Sequence, residues 1–104
     1  MPRSAHVPVP SRATFDQLDA IIRYYAREAG DQVARFVEPG EGDWEEVRDL
    51  FADQYACLQI RDCLREGRVR RAIDLMEEAD SMVRDELYER IPFLRRAYDR
   101  AMAE

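Results

Sequence analysis

With 104 residues the chain has room for one domain and one modest core, and none for a second domain. Its five Pro and four Gly gather at the N-terminus, at Pro39-Gly40-Glu41-Gly42 and at isolated stops, so the remainder is free of helix breakers and an all-α bundle is expected. A formal net charge of −6 sets the long-range field against phosphate, which argues against general attraction to nucleic acid or anionic lipid, although local basic patches stay open.

Residues 1–12, MPRSAHVPVPSR, alternate Pro with small or polar residues and read as a flexible leader ahead of a single helical-bundle domain, 13–104. Thr14, with Gln17 at the capping-box position, opens a first helix over about 14–37. Phe15, Leu18, Ile22, Tyr25 and Ala29 recur at spacings of three and four, a heptad seam whose phase continues through Val33 and Phe36. Gly30-Asp31 is a soft point in that helix, with a break there as the alternative. Residues 38–42 form a turn.

Asp43, with Glu46 three residues on, marks the start of a second helix over 43–66. At 100° per residue, Trp44, Val47, Leu50, Phe51, Tyr55, Cys57, Leu58 and Leu64 occupy about half its circumference. Gly67 follows as the expected left-handed C′ residue and turns the chain back. Over 68–91 Val69, Ala72, Ile73, Met76, Ala79, Val83, Leu87 and Ile91 stay in phase across Ser81, which predicts one helix ended by Pro92. A turn centred on Gly67 would pair Phe51 with Val83, Leu58 with Met76 and Val47 with Leu87. A short C-terminal helix, 93–103, carries Phe93, Leu94, Ala97, Tyr98, Ala101 and Met102 on one side. The spacing Gly67, Ala72, Met76, Ala79 resembles the second half of a tetratricopeptide repeat, which implies two helices in close approach. The likeness covers about 13 residues, Ala56, Gln59, Ile60 and Cys63 depart from the first-helix pattern, and no second copy follows. A lone antiparallel hairpin within a bundle of three long helices and one short one is therefore expected.

Catalytic apparatus is sparse. His6, the sole histidine, lies in the leader, so no His-paired nucleophile or Glu-x-x-His metal box can be assembled in the bundle. Neither a glycine-rich phosphate loop nor clustered metal ligands can be found, and no enzyme activity, metal or cofactor is expected. Cys57 and Cys63 are about 9 Å apart along one helix and point different ways, so they cannot bond to each other. Reduced thiols, no signal peptide and no apolar stretch of spanning length give a cytoplasmic expectation with no membrane contact. Cys57 reads as a core residue and Cys63 as facing away.

Polar residues inside the apolar arcs draw attention. Gln54 would stand beside Asp80 in the hairpin as a polar register layer, a device that fixes alignment and oligomer state. Arg61, Arg65, Arg68, Arg70 and Arg71 cluster at the turn, while Glu38, Glu41, Asp43, Glu45, Glu46, Asp49 and Asp53 make the opposite end acidic. The expected function is a non-catalytic protein–protein interaction module, a small regulator, adaptor or inhibitor of bacterial or phage origin. It is expected to self-associate as a homodimer, with Trp44, Tyr55, Phe93 and Tyr98 as contacts. The all-Arg, Lys-free basic set reflects a GC-rich genome and not chemistry. Two alternatives stand: a nucleic-acid-binding accessory protein using the arginine-rich turn 61–71, and an acidic inhibitor that mimics phosphates.

Overall fold

A computed structural model describes residues 9–35 and 44–104, which hold five helices and no strand. The leader up to residue 8 with its His6, the expected helix end at 36–37, the turn 38–42 and the Asp43 cap lie outside the described residues. The first helix, α1 (Arg12–Ala34), starts two residues ahead of the expected Thr14. Ser11 is its N-cap, and the Ser11 Oγ accepts a hydrogen bond from the Thr14 backbone N–H at 3.3 Å. Thr14 is instead a buried first-turn residue. The chain therefore becomes helical within the stretch read as leader. The helix runs unbroken through Gly30, which is exposed and has nothing within 4 Å of where a Cβ would stand.

α2 (Trp44–Arg65) ends on Gly67, whose φ is +77°. The Gly67 N–H reaches the Leu64 carbonyl at 3.2 Å and the Arg68 N–H reaches that of Cys63 at 2.8 Å. These are the paired bonds of a Schellman stop, which satisfy carbonyls that the helix itself leaves open.

The expected single helix 68–91 is two: α3 (Val69–Glu78) and α4 (Ser81–Arg90). Ala79 and Asp80 are extended, with ψ of 165° and 143°. The Asp80 carboxylate accepts the Met82 N–H at 2.9 Å, a side-chain cap that outcompetes helix continuation at this point. Apolar phase survives the break, since Val83 and Leu87 are fully buried as the stripe requires, but the axis does not. α2 packs along α1 and α3, whereas α4 packs on α5 (Pro92–Ala103), which also leans on α3. Of the three expected cross-hairpin pairs, only Leu58–Met76 falls on closely packed helices; Phe51, assigned to Val83, stays half exposed.

Pro92 begins α5 at its first position, where no N–H is needed. Phe93 and Leu94 are buried in this chain's own core. One apolar cluster takes Leu18, Ile60, Ile73, Met76, Leu87 and Leu94 from the five helices in turn.

Two glycines offer opposite tests of this backbone. Gly30→Ala should raise stability by about 0.5–1 kcal/mol, because a helical interior favours Ala and space is available. Gly67→Ala should lower it by about 1 kcal/mol, because a Cβ strains the left-handed turn. Urea unfolding followed by circular dichroism measures both.

Candidate interaction surface on the second helix

The broad apolar arc expected on α2 resolves into two faces. Cys57, Ile60, Cys63 and Leu64 are buried and form the core side, joined by Val47 at the N-terminal end. Trp44, Phe51 and Tyr55, spaced seven and four apart, lie within about 40° of one another on the other side. They are 59%, 49% and 61% exposed. Leu58 continues the line half buried, Arg48 stands between Trp44 and Phe51, and Asp62 closes it. Each aromatic is on one 22-residue helix of about six turns, so the stripe is presented as a straight, preformed edge.

Other sequence-predicted site residues are distributed differently. Phe93 is core and not contact surface, because α5 docks within its own chain. Tyr98 is half buried, stacked edge-on with Tyr88 at 5.9 Å and donating its hydroxyl to Glu77. Arg61 turns inward: its Nη1 meets Asp19 Oδ1 at 2.7 Å, and its Nε is buried with no hydrogen-bond partner among the described residues. This explains an arginine in an apolar arc, since the pair ties α1 to α2. Around the turn, Arg68 pairs with Glu66 at 3.4 Å, Arg70 with Asp74 at 3.4 Å and Glu104 at 3.3 Å, and Arg71 with Glu78 at 3.9 Å. Exposed pairs of this kind contribute little stability, but they cancel the local positive field. Arg65 alone of the five has no ion pair among the described residues.

The polar register layer does not form. Asp80 is exposed and spends its carboxylate on capping α4; Gln54 is half buried, and no hydrogen bond joins the two among the described residues. Asp80 instead closes an acidic groove with Asp49, Asp53 and Glu78, floored by Ala52, Ala56 and Ala79. Partial burial, then the Asp80 charge and then Asp49 hold the Asp53 carboxyl above the usual carboxylate range. Burial, followed by Asp53 and Glu86, pushes the Cys57 thiol up to about 12, which leaves it an inert small hydrophobe. Cys63, expected to face away, is also buried.

Among the described residues no group of three or more His, Cys, Asp or Glu is placed to hold a metal ion, and no helix is long and apolar enough to cross a membrane. No family model, curated protein or solved structure matches the chain.

The acidic groove generates two predictions. Because folding raises the Asp53 pKa, the native state binds its proton more tightly than the unfolded chain, and stability falls as pH climbs through the carboxylate range. Asp53→Asn should therefore raise the melting temperature near pH 7 and lose that advantage by about pH 4. Asp80→Ala should cost about 1 kcal/mol through the lost cap, while Asp80→Asn keeps the acceptor, relieves the repulsion and should cost nothing. Parallel thermal melts of the three variants at the two pH values check both.

Proposed function

We propose that the protein acts without catalysis, as a small protein-binding regulator, adaptor or inhibitor whose contact surface is the outward face of α2. The observation that carries this reading is the alignment of Trp44, Phe51 and Tyr55, each about half exposed, on a face outside the core formed by the described residues. Single exposed hydrophobics are ordinary, but three aromatics aligned on one helix, with Leu58 in the same line, make a stripe, and Trp and Tyr are the residues that dominate protein contacts. Glu45 and Asp62, both exposed, border the stripe and Arg48 stands within it, so charged groups accompany the aromatics as they do on such surfaces.

A second reading has the acidic groove in its favour. Asp49, Asp53, Asp80 and Glu78 present carboxylates at close quarters, as a protein that occupies a basic nucleic-acid cleft by mimicking phosphates would. The arginine turn supports a nucleic-acid role less, since Arg61, Arg68, Arg70 and Arg71 already have acidic partners.

A photo-crosslinking amino acid placed at position 55 tests the leading reading in whole-cell extract. It should join the chain to another polypeptide, a second copy included, in amounts that Phe51→Glu reduces at least tenfold. The same crosslinker at Asp85, on the exposed side of α4, should not. Equal yields from the two positions would count against the α2 face.

A further inference from the structure

Resting on that reading of the α2 face, we infer that its occupant is the same face of a second copy, laid antiparallel about a twofold axis near residue 53. Positions 44, 48, 51, 55, 58 and 62 follow one another at steps of four and three, the spacing with which two helices interlock along a seam. The seam is about 27 Å long at 1.5 Å per residue. Its middle is apolar, with Phe51, Tyr55 and Leu58, and its ends hold opposite charges, Arg48 towards the N-terminus and Asp62 at the C-terminal end.

Those charges decide the orientation. A parallel in-register pair would set Arg48 on its own copy and Asp62 on its own copy, like against like at both ends. Antiparallel pairing with register sum 106 sets Phe51 against the partner's Tyr55, twice, Arg48 against the partner's Leu58, and Trp44 against the partner's Asp62. Helical side chains lean towards the N-terminus of their own helix. The Arg48 guanidinium is thereby carried towards the partner's Asp62, one turn beyond the partner's Leu58 that its stem covers. The Arg48 contact it has within the chain is a 3.9 Å approach to Glu45 with both side chains mostly exposed, which is readily exchanged. Opposed helix dipoles add to the same preference.

Shape agrees with charge. Beside Asp62 runs a groove between α2 and α3, lined by Leu58, Cys63, Arg71 and Leu75. The register brings the partner's Trp44 to it, so the bulkiest exposed side chain meets the concave part of the surface. Three aromatics at about half exposure contribute roughly 300 Å² per protomer. With Leu58, the Arg48 stem and the groove walls the contact reaches the lower end of standard interfaces, about 600–800 Å² per partner. That size fits a reversible dimer with a dissociation constant on the order of micromolar.

Light scattering of the purified full chain across about a hundredfold dilution tests the inference. The mass should approach twice 12.2 kDa at the concentrated end. Phe51→Glu, at a half-exposed position, should keep the helical circular dichroism and remain at one chain's mass throughout. Arg48→Asp and Asp62→Arg should each weaken dimerisation at least tenfold, and the double variant should restore it. A wild-type mass of 12.2 kDa at every concentration overturns the inference, as does a dimer indifferent to Phe51→Glu. A dimer that the double variant does not rescue overturns the antiparallel register. A monomer that still crosslinks to a different protein from position 55 defeats the second copy as partner while leaving the binding-module reading standing; a monomer that crosslinks to nothing defeats both.

Discussion

A single side-chain hydrogen bond, from the Met82 backbone N–H to the Asp80 carboxylate, decides how the second half of the chain is laid out. Without it, the apolar stripe from Val69 to Ile91 has the phase of one helix that would run back along the whole of α2. With it, α3 stops after Glu78, α4 leaves in a new direction and closes on α5. The N-terminal half of α2 is then close-packed along α1, with grooves between it and α4 lined by Leu50, Asp53, Met82 and Glu86 on one side and by Asp49, Ala52 and Asp80 on the other.

The same carboxylate illustrates how a local gain and a longer-range cost coexist. As a cap, Asp80 satisfies an N–H that α4 leaves open; as a charge, it faces Asp53 across the groove and, with Asp49, resists the ionisation of that carboxyl. The protein tolerates the repulsion because these groups are partly hydrated and screened. Arg61 makes the reverse exchange. It forfeits hydration of its Nε to place Nη1 on Asp19, and so ties α1 to α2, which Gln32 and Glu46 also bridge by a hydrogen bond of 3.3 Å. Both residues lie at positions where a purely hydrophobic pattern is interrupted, and both are bound to backbone or to an opposite charge as buried or bridging polar groups must be.

Features that depend on local chemistry were legible in the sequence. The helical class, the left-handed stop at Gly67 and the helix start at Pro92 follow from residue types whose backbone preferences few tertiary contacts can reverse. Burial of Ile73, Met76, Val83 and Leu87 followed from period alone. What escaped was direction. The phase of a stripe is insensitive to two extended residues inserted between helices, so continuity across Ser81 predicted one helix where the Asp80 cap starts a second. On α2 apolar residues surround much of the circumference, and the sequence does not say which side meets the core; hence Ile60 and Cys63 are inside while Trp44 and Tyr55 are out. Of the residues named from the sequence as contacts, Trp44 and Tyr55 are exposed, whereas Phe93 belongs to the core and the arginine turn is mostly matched by neighbouring acids.

The order of helix packing has a kinetic corollary. Every close-packed pair joins helices that are consecutive in the chain or, for α3 and α5, separated by one. Few contacts therefore wait on the closure of a long loop, and little chain entropy must be surrendered before native pairing repays it. Such a topology folds in the microsecond-to-millisecond regime typical of low-contact-order helical proteins. It also divides naturally into an α1–α2 hairpin and an α3–α4–α5 knot that meet at α3. The first of these carries the aromatic stripe, so a nascent chain holds the whole of α1 and α2, with Trp44, Phe51 and Tyr55 in line, as soon as Arg65 has emerged, before the C-terminal helices exist to fold.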